Sequence, residues 1–146
     1  EQGELVLTSL TKQAMPVVRY RTRDLTRLLG GSAYPAFRSI QKITGRTDDM
    51  MIIRGVNVFP TQVEELLLSV PGLSPHFECV LSRPGRLDEL SVRVESRQRG
   101  SDAGALGGML GQLIKDRIGV TVTIEVLDPE SIPRSQGKAV RVLDRR

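Results

Sequence analysis

The chain has 146 residues, enough for one domain with a real core and a small appendage. Hydrophobic residues make up 39% and charged residues 26%, the balance of a folded globular protein, and no apolar run approaches the roughly 18 residues needed to cross a bilayer. Net charge is +4 with the basic residues dispersed, and aromatics are only 3%, which argues against a single-strand nucleic-acid platform and favours phosphates on a small ligand. The lone Cys79 sits among apolar neighbours without a cysteine partner, so a disulfide scaffold within the chain is excluded. A reducing, cytoplasmic setting is expected, and Cys79 reads as core rather than as a nucleophile.

In chain order, "ELVLTSL" (4–10) and "PVVRYRTRDLTRLL" (16–29) read as short strands around turns, and "GGSAYPA" (30–36) as a loop. "MMII" (50–53) predicts a short buried strand. Thr61 and Glu64 have capping-box spacing, and Val63, Leu66, Leu67 and Val70 follow at helical intervals until Pro71-Gly72 stops the helix. "FECVLSR" and "ELSVRVES" predict two strands joined across residues 84–88, with Leu90, Val92 and Val94 alternating against polar neighbours. Leu106, Met109, Leu110 and Leu113 mark a second amphipathic helix despite its glycines, with Gly119 placed to end it left-handed. Val120, Val122, Ile124 and Val126 alternate again, and a last short strand is expected near 139–143.

The order strand, helix, strand, strand, helix, strand predicts an α+β fold: a small split βαβ sheet with two helices on one face. Residues 1–44 do not fit that unit and read as strands left over from a larger domain, with the small domain running from 45 to 146. Edges and apolar faces in that head segment make a homodimer possible.

Three motifs carry chemistry. In "YRTRDL" (20–25), strand alternation puts Arg19, Arg21 and Arg23 on one face and Tyr20, Thr22 and Asp24 on the other. Asp24 then serves either as an acceptor for a vicinal diol, such as a ribose, or as a turn residue paired with an arginine; local sequence leaves both open. In "GRTDDMMIIRGVNVFPTQVEE" (45–65), Arg46 has the planar fork suited to phosphate, and Asp48 and Asp49 follow as a turn pair. Gly55 offers either a hairpin turn or a wall without a Cβ along which a thin ligand passes. In "PRSQGKAVRV" (133–142), Lys138 stands after a small-residue bend, either as an ordinary surface lysine or as a cation able to meet a developing negative charge.

Together, "YRTRDL", "GRTDDMMIIRGVNVFPTQVEE" and "RSQGKAVRVLDRR" resemble the C-terminal part of the adenylate-forming enzymes, and within them the phenylacetate–coenzyme A ligase family. The resemblance runs over nearly the whole chain, and "ITGRTDDMMIIRGVNVFPTQ" is its most specific block. It implies a mobile lid, residues 45–146, on a large N-terminal domain whose end is residues 1–44. It also implies AMP-forming acid–thiol ligase chemistry: phenylacetate and ATP give an acyl-adenylate and pyrophosphate, and coenzyme A then takes the acyl group. By position, Asp24 matches the aspartate holding the ribose hydroxyls of ATP and Arg46 the arginine contacting nucleotide phosphate. Asp48 matches the hinge, Gly55 the loop lining the coenzyme A tunnel, and Lys138 the lysine that catalyses adenylation. ATP, coenzyme A and Mg2+ are the implied cofactors, with Mg2+ held mainly by the large domain and no metal ligands expected in this chain. The implied partners are that domain, an aryl acid and the two nucleotides, with neither nucleic acid nor membrane, and the fragment alone is expected to be inactive.

One pattern departs from the wider superfamily: "YPAFRSIQKITGR" lacks the acidic-glycine arrangement found elsewhere, which leaves coenzyme A contacts at Arg54 and Asn57 unassigned. The competing reading is a free-standing ligand- or RNA-binding module, since split βαβ sheets serve both purposes. The lack of aromatics within the sheet strands argues against its RNA form.

Overall fold

The structure is a computed structural model that describes residues 2–31, 37–134 and 140–146. It divides into two compact units, Glu1–Met50 and Met51–Arg146. The division falls a few residues beyond the 44/45 boundary expected from sequence, because Gly45 and Arg46 pair with the strand that precedes them.

The first unit is built on β2 (Tyr20–Leu29), which pairs antiparallel with β1 (Gln2–Leu7) on one side. On the other side it pairs with β3 (Ser39–Ile40) and β4 (Gly45–Arg46). The β1–β2 register shifts between Glu4 and Val6, so the ladder carries a bulge opposite residues 22–24. Arg23 takes φ 66° there, its amide donates to the Glu4 carboxylate, and the Asp24 amide donates to Thr22 Oγ1. The strict alternation predicted for Arg19 to Asp24 therefore fails at Arg23.

The second unit opens with a hairpin of β5 (Met51–Ile53) and β6 (Val56–Val58). Arg54 (φ 50°) and Gly55 (φ 83°) form its two-residue turn, and two consecutive positive φ values match the right-handed twist of the flanking strands. The chain thus turns back on itself at once. The strand expected at 50–53 folds onto β6 instead of joining the larger sheet.

Helix α1 (Pro60–Leu68) starts one residue before Thr61, because Pro60 presets the first helical φ and Phe59 stays extended. Phe59 is therefore the N-cap, and its amide donates to Gln62 Oε1 at 3.0 Å. Helix α2 (Ala103–Ile118) is capped by Asp102, which accepts from the Ala105 amide at 3.0 Å. It ends as predicted at Gly119, left-handed with φ 86°.

The helices cover one sheet of order β10–β7–β8–β9, made of β7 (Leu73–Ser82), β8 (Glu89–Ser96), β9 (Thr123–Leu127) and β10 (Val142–Asp144). β7 and β8 are antiparallel, and the outer strands run parallel to their neighbours. β10, and not the 50–53 strand, completes this sheet beside β7. In register, Phe77 faces Val94, Cys79 faces Val92 and Leu81 faces Leu90, and all six side chains are buried. They join Val63 and Leu67 of α1 and Leu110 and Ile114 of α2 in one core. Each contributes on the order of 1.5–3 kcal/mol by leaving water. On the opposite face Arg93 stands between Glu78 (3.0 Å) and Glu125 (3.1 Å), an ion-pair row across three strands. The fold is α+β, with two helices and mixed sheets among the described residues.

Candidate functional site

Two of the residues singled out in sequence lie directly across a strand pair: Asp24 on β2 and Arg46 on β4 are register partners. Arg46 lies 3.5 Å from the Asp24 carboxylate and donates through Nε and a terminal nitrogen to the two oxygens of Asp48, both at 3.0 Å. Asp49 closes a third side at 3.7 Å. Arg23, turned by its left-handed backbone, adds a contact to Asp48 at 3.3 Å. Asp24, Arg46 and Asp48 therefore form one cluster. The sequence reading missed Arg23 as a member because alternation had assigned it to the face opposite Asp24.

The electrostatics follow from this geometry. The bidentate Arg46 contact brings the Asp48 carboxyl down to about 2, with Arg23 adding to it. The same contact raises the Arg46 guanidinium above its ordinary value. Arg46 nonetheless keeps 38% of its side chain exposed. The cluster is thus a guanidinium ringed by three carboxylates and still partly open to solvent.

Gly55 lies in the second unit, at the tip of the β5–β6 hairpin. A Cβ built on it would meet no atom within 4 Å, so backbone conformation and not packing calls for glycine there. Asn57 lies on β6 opposite Ile52. Lys138 lies outside the described residues, but the chain on either side of it is well anchored. Arg134 pairs with Glu95 of β8 at 2.8 Å. Arg141 sits 4.4 Å above the Phe77 ring and donates to Glu64 at 3.0 Å. Neither anchor carried a sequence signal, because each pairs residues far apart in the chain.

Cys79 is fully buried and its thiol is pushed up to about 12 by that burial, so it serves as a core side chain. Among the described residues, no group of three or more His, Cys, Asp or Glu is arranged to hold a metal ion. None of their helices is long and apolar enough to cross a membrane.

Residues 55–146 match the family model of the AMP-binding enzyme C-terminal domain. The chain belongs to that family. The chain is 48% identical over 151 residues to the phenylacetate-coenzyme A ligase of Escherichia coli (strain K12), covering 100% of this chain and 34% of the relative. It is 52% identical over 149 residues to that of Pseudomonas putida, covering 99% and 34%. The chain thus spans about a third of the length of these relatives. Among solved structures it is similar to 2-hydroxyisobutyryl-CoA ligase in the postadenylation state in complex with R3-HIB-AMP. That match has a TM-score of 0.82 and 32% identity over 100% of this chain and 32% of the other. The same ligase in complex with 2-HIB-AMP and CoA in the thioesterification state matches with a TM-score of 0.61 and 31% identity, over 99% and 32%. Family membership does not favour the free-standing binding module.

Proposed function

We propose that this chain is the C-terminal part of an ATP-dependent acyl-CoA synthetase whose acid is phenylacetate. The intact enzyme forms phenylacetyl-CoA, AMP and pyrophosphate. The observation that carries this reading is the identity of about half of all positions, along the entire chain, with phenylacetate-coenzyme A ligases of two organisms. The clustering of Asp24, Arg46 and Asp48 supports it independently, because the three positions that the resemblance assigns to nucleotide and hinge meet at one place.

In the first half-reaction a carboxylate oxygen of the acid bonds to the α-phosphorus of ATP and pyrophosphate leaves. Two anions approach, so a cation delivered at that moment lowers the barrier by favouring the transition state over the ground state. Lys138 supplies that cation, Arg46 contacts nucleotide phosphate, and Asp24 accepts hydrogen bonds from the ribose hydroxyls. In the second half-reaction the coenzyme A sulfur bonds to the acyl carbon and AMP leaves. Gly55 forms part of the wall along which the thiol arm passes. Asp48 is the hinge, and its pairs with Arg46 and Arg23 are contacts that rotation would have to exchange.

Residues 1–44 then end the large domain and residues 45–146 form the lid. Leu10, Met15, Val18 and Phe37 are all strongly exposed, which suits side chains that the rest of that domain would cover. A homodimer through these same exposed side chains is the competing reading. The carboxylates around Arg46 are engaged by guanidinium groups and do not fit a metal site, so Mg2+ belongs with ATP outside this chain. The lone buried Cys79 suits a reducing, cytoplasmic location. ATP–pyrophosphate exchange by the full-length enzyme, run across a panel of aryl and aliphatic acids and followed by addition of coenzyme A, tests the reading. Exchange stimulated by phenylacetate, with phenylacetyl-CoA formed afterwards, is expected. Stimulation confined to another acid would overturn the substrate, and no acid-dependent exchange would overturn the reaction.

A further inference from the structure

Glu95 is a fully buried carboxylate that none of the steps above uses. It projects from β8, is 1% exposed, and is the one charged side chain among the described residues with that degree of burial. A buried carboxylate is costly unless fully partnered. Its partners all come from one segment: the Ile132 amide at 2.8 Å from Oε1, and the Arg134 fork at 3.1 Å to Oε1 and 2.8 Å to Oε2. Glu130, two residues before Ile132, takes φ 66°, a left-handed conformation that a non-glycine residue holds only when its surroundings demand it. The bonds to Glu95 hold down residues 132–134, immediately before the five residues 135–139 that include Lys138.

The far side of that segment is held as firmly. The Arg141 carbonyl accepts from the Cys79 amide at 2.8 Å, and its guanidinium donates to the Pro75 and Phe77 carbonyls at 3.1 Å and 3.3 Å. The same group reaches Glu64 and stacks over Phe77. Arg134 and Arg141 are thus each fixed by side-chain contacts to the small sheet or the elements packed on it. The Arg141 end is built into a sheet edge and serves the fold in any case. The Glu95–Arg134 end is different. Arg134 is half-exposed and lies outside any strand or helix, yet a buried charge is spent on holding it.

We propose that Glu95 and Arg134 are positioning residues for adenylation: together they fix the take-off of the segment that delivers Lys138, and they have no part in thioester formation. This rests on the role given to Lys138 above.

The test uses the full-length enzyme and measures two half-reactions separately: ATP–pyrophosphate exchange with phenylacetate, and thioester formation from preformed phenylacetyl-adenylate and coenzyme A. Arg134→Ala, Arg134→Lys, Glu95→Gln and Lys138→Ala are compared, with thermal unfolding of each. Misplacement of a catalytic group by about 1 Å can cost about 10²-fold, so Arg134→Ala should lower exchange toward that extent. Thioester formation should stay near the unsubstituted rate, and Arg134→Lys should recover part of the exchange. If Lys138→Ala abolishes exchange while Arg134→Ala leaves it unchanged, or lowers both half-reactions equally, the positioning role is wrong and the adenylation reading stands. If Lys138→Ala leaves exchange intact, the lysine assignment falls and the positioning role falls with it. Should Glu95→Gln fail to fold, Arg134→Ala decides alone, since its side chain is half in solvent.

Discussion

Gly55 offers a substitution that separates fold from function. It sits in the second position of a two-residue turn with φ 83°, beside Arg54 at φ 50°, and a Cβ there would touch nothing within 4 Å. The only folding cost of a side chain is therefore conformational: about 1–2 kcal/mol for an ordinary L-residue held left-handed, and less for asparagine, whose short amide tolerates that region. Gly55→Asn is thus expected to leave the second unit folded, with a thermal midpoint only slightly lowered. If Gly55 lines the path of the coenzyme A arm, the added amide obstructs it. The full-length variant should then keep acid-dependent ATP–pyrophosphate exchange close to the unsubstituted rate and lose thioester formation from the preformed acyl-adenylate, chiefly as a raised KM for coenzyme A. Gly55→Ala, a smaller group at a larger conformational cost, should show the reverse weighting: more loss of stability and less of thioester formation. Thioester formation unchanged in a folded Gly55→Asn variant would refute the tunnel wall and leave Gly55 as a turn residue only.

Two further outcomes follow from particular residues. Asp48 and Asp144 are both held at about 2, below the ordinary aspartate value of 3.8, by Arg46 and Arg146 respectively. Because the folded state binds their protons less readily than the unfolded state, the stabilisation they provide is present above about pH 4 and is lost as pH falls toward 2. Circular dichroism during acid titration should show that fall, and Asp48→Asn should flatten the part belonging to the first unit. Gly108 lies within α2 with open space where its Cβ would be. Gly108→Ala should raise stability by up to about 1 kcal/mol in thermal unfolding, since alanine loses less backbone freedom in a helix.

Sequence pattern revealed those elements whose burial is set by local periodicity. The alternation of Leu90, Val92 and Val94 and the helical spacing of Val63 and Leu67 describe faces that pack against something, and those faces are the core. Pairing was less legible. The 50–53 segment looks like a sheet strand because Met51 and Ile53 are indeed buried, yet the Arg54-Gly55 turn pairs it with Val56–Val58 first. Helix α1 shows the limit of a motif match: Thr61 and Glu64 have capping-box spacing, but Pro60 sets the start one residue earlier and Glu64 pairs with Arg141. Asp24, Arg46 and Asp48 stood out in sequence as members of two separate motifs, which strand pairing brings into one ion-pair cluster, whereas Arg23 joins them only through a bulge that reverses its direction. Glu95 with Arg134 and Phe77 with Arg141 lie 39 and 64 residues apart, beyond the reach of any local pattern. Lys138, to which the proposed function gives the adenylation chemistry, falls outside the described residues, and its assignment comes from the resemblance.

The most direct measurement is therefore on that lysine: phenylacetate-dependent ATP–pyrophosphate exchange by the full-length enzyme and its Lys138→Ala variant, with thioester formation from preformed phenylacetyl-adenylate measured alongside. Loss of exchange by about 10²- to 10³-fold, the range for removal of one electrostatic stabiliser, with thioester formation largely retained, is the predicted result. Exchange at the unsubstituted rate in a folded Lys138→Ala enzyme would contradict the account at its centre.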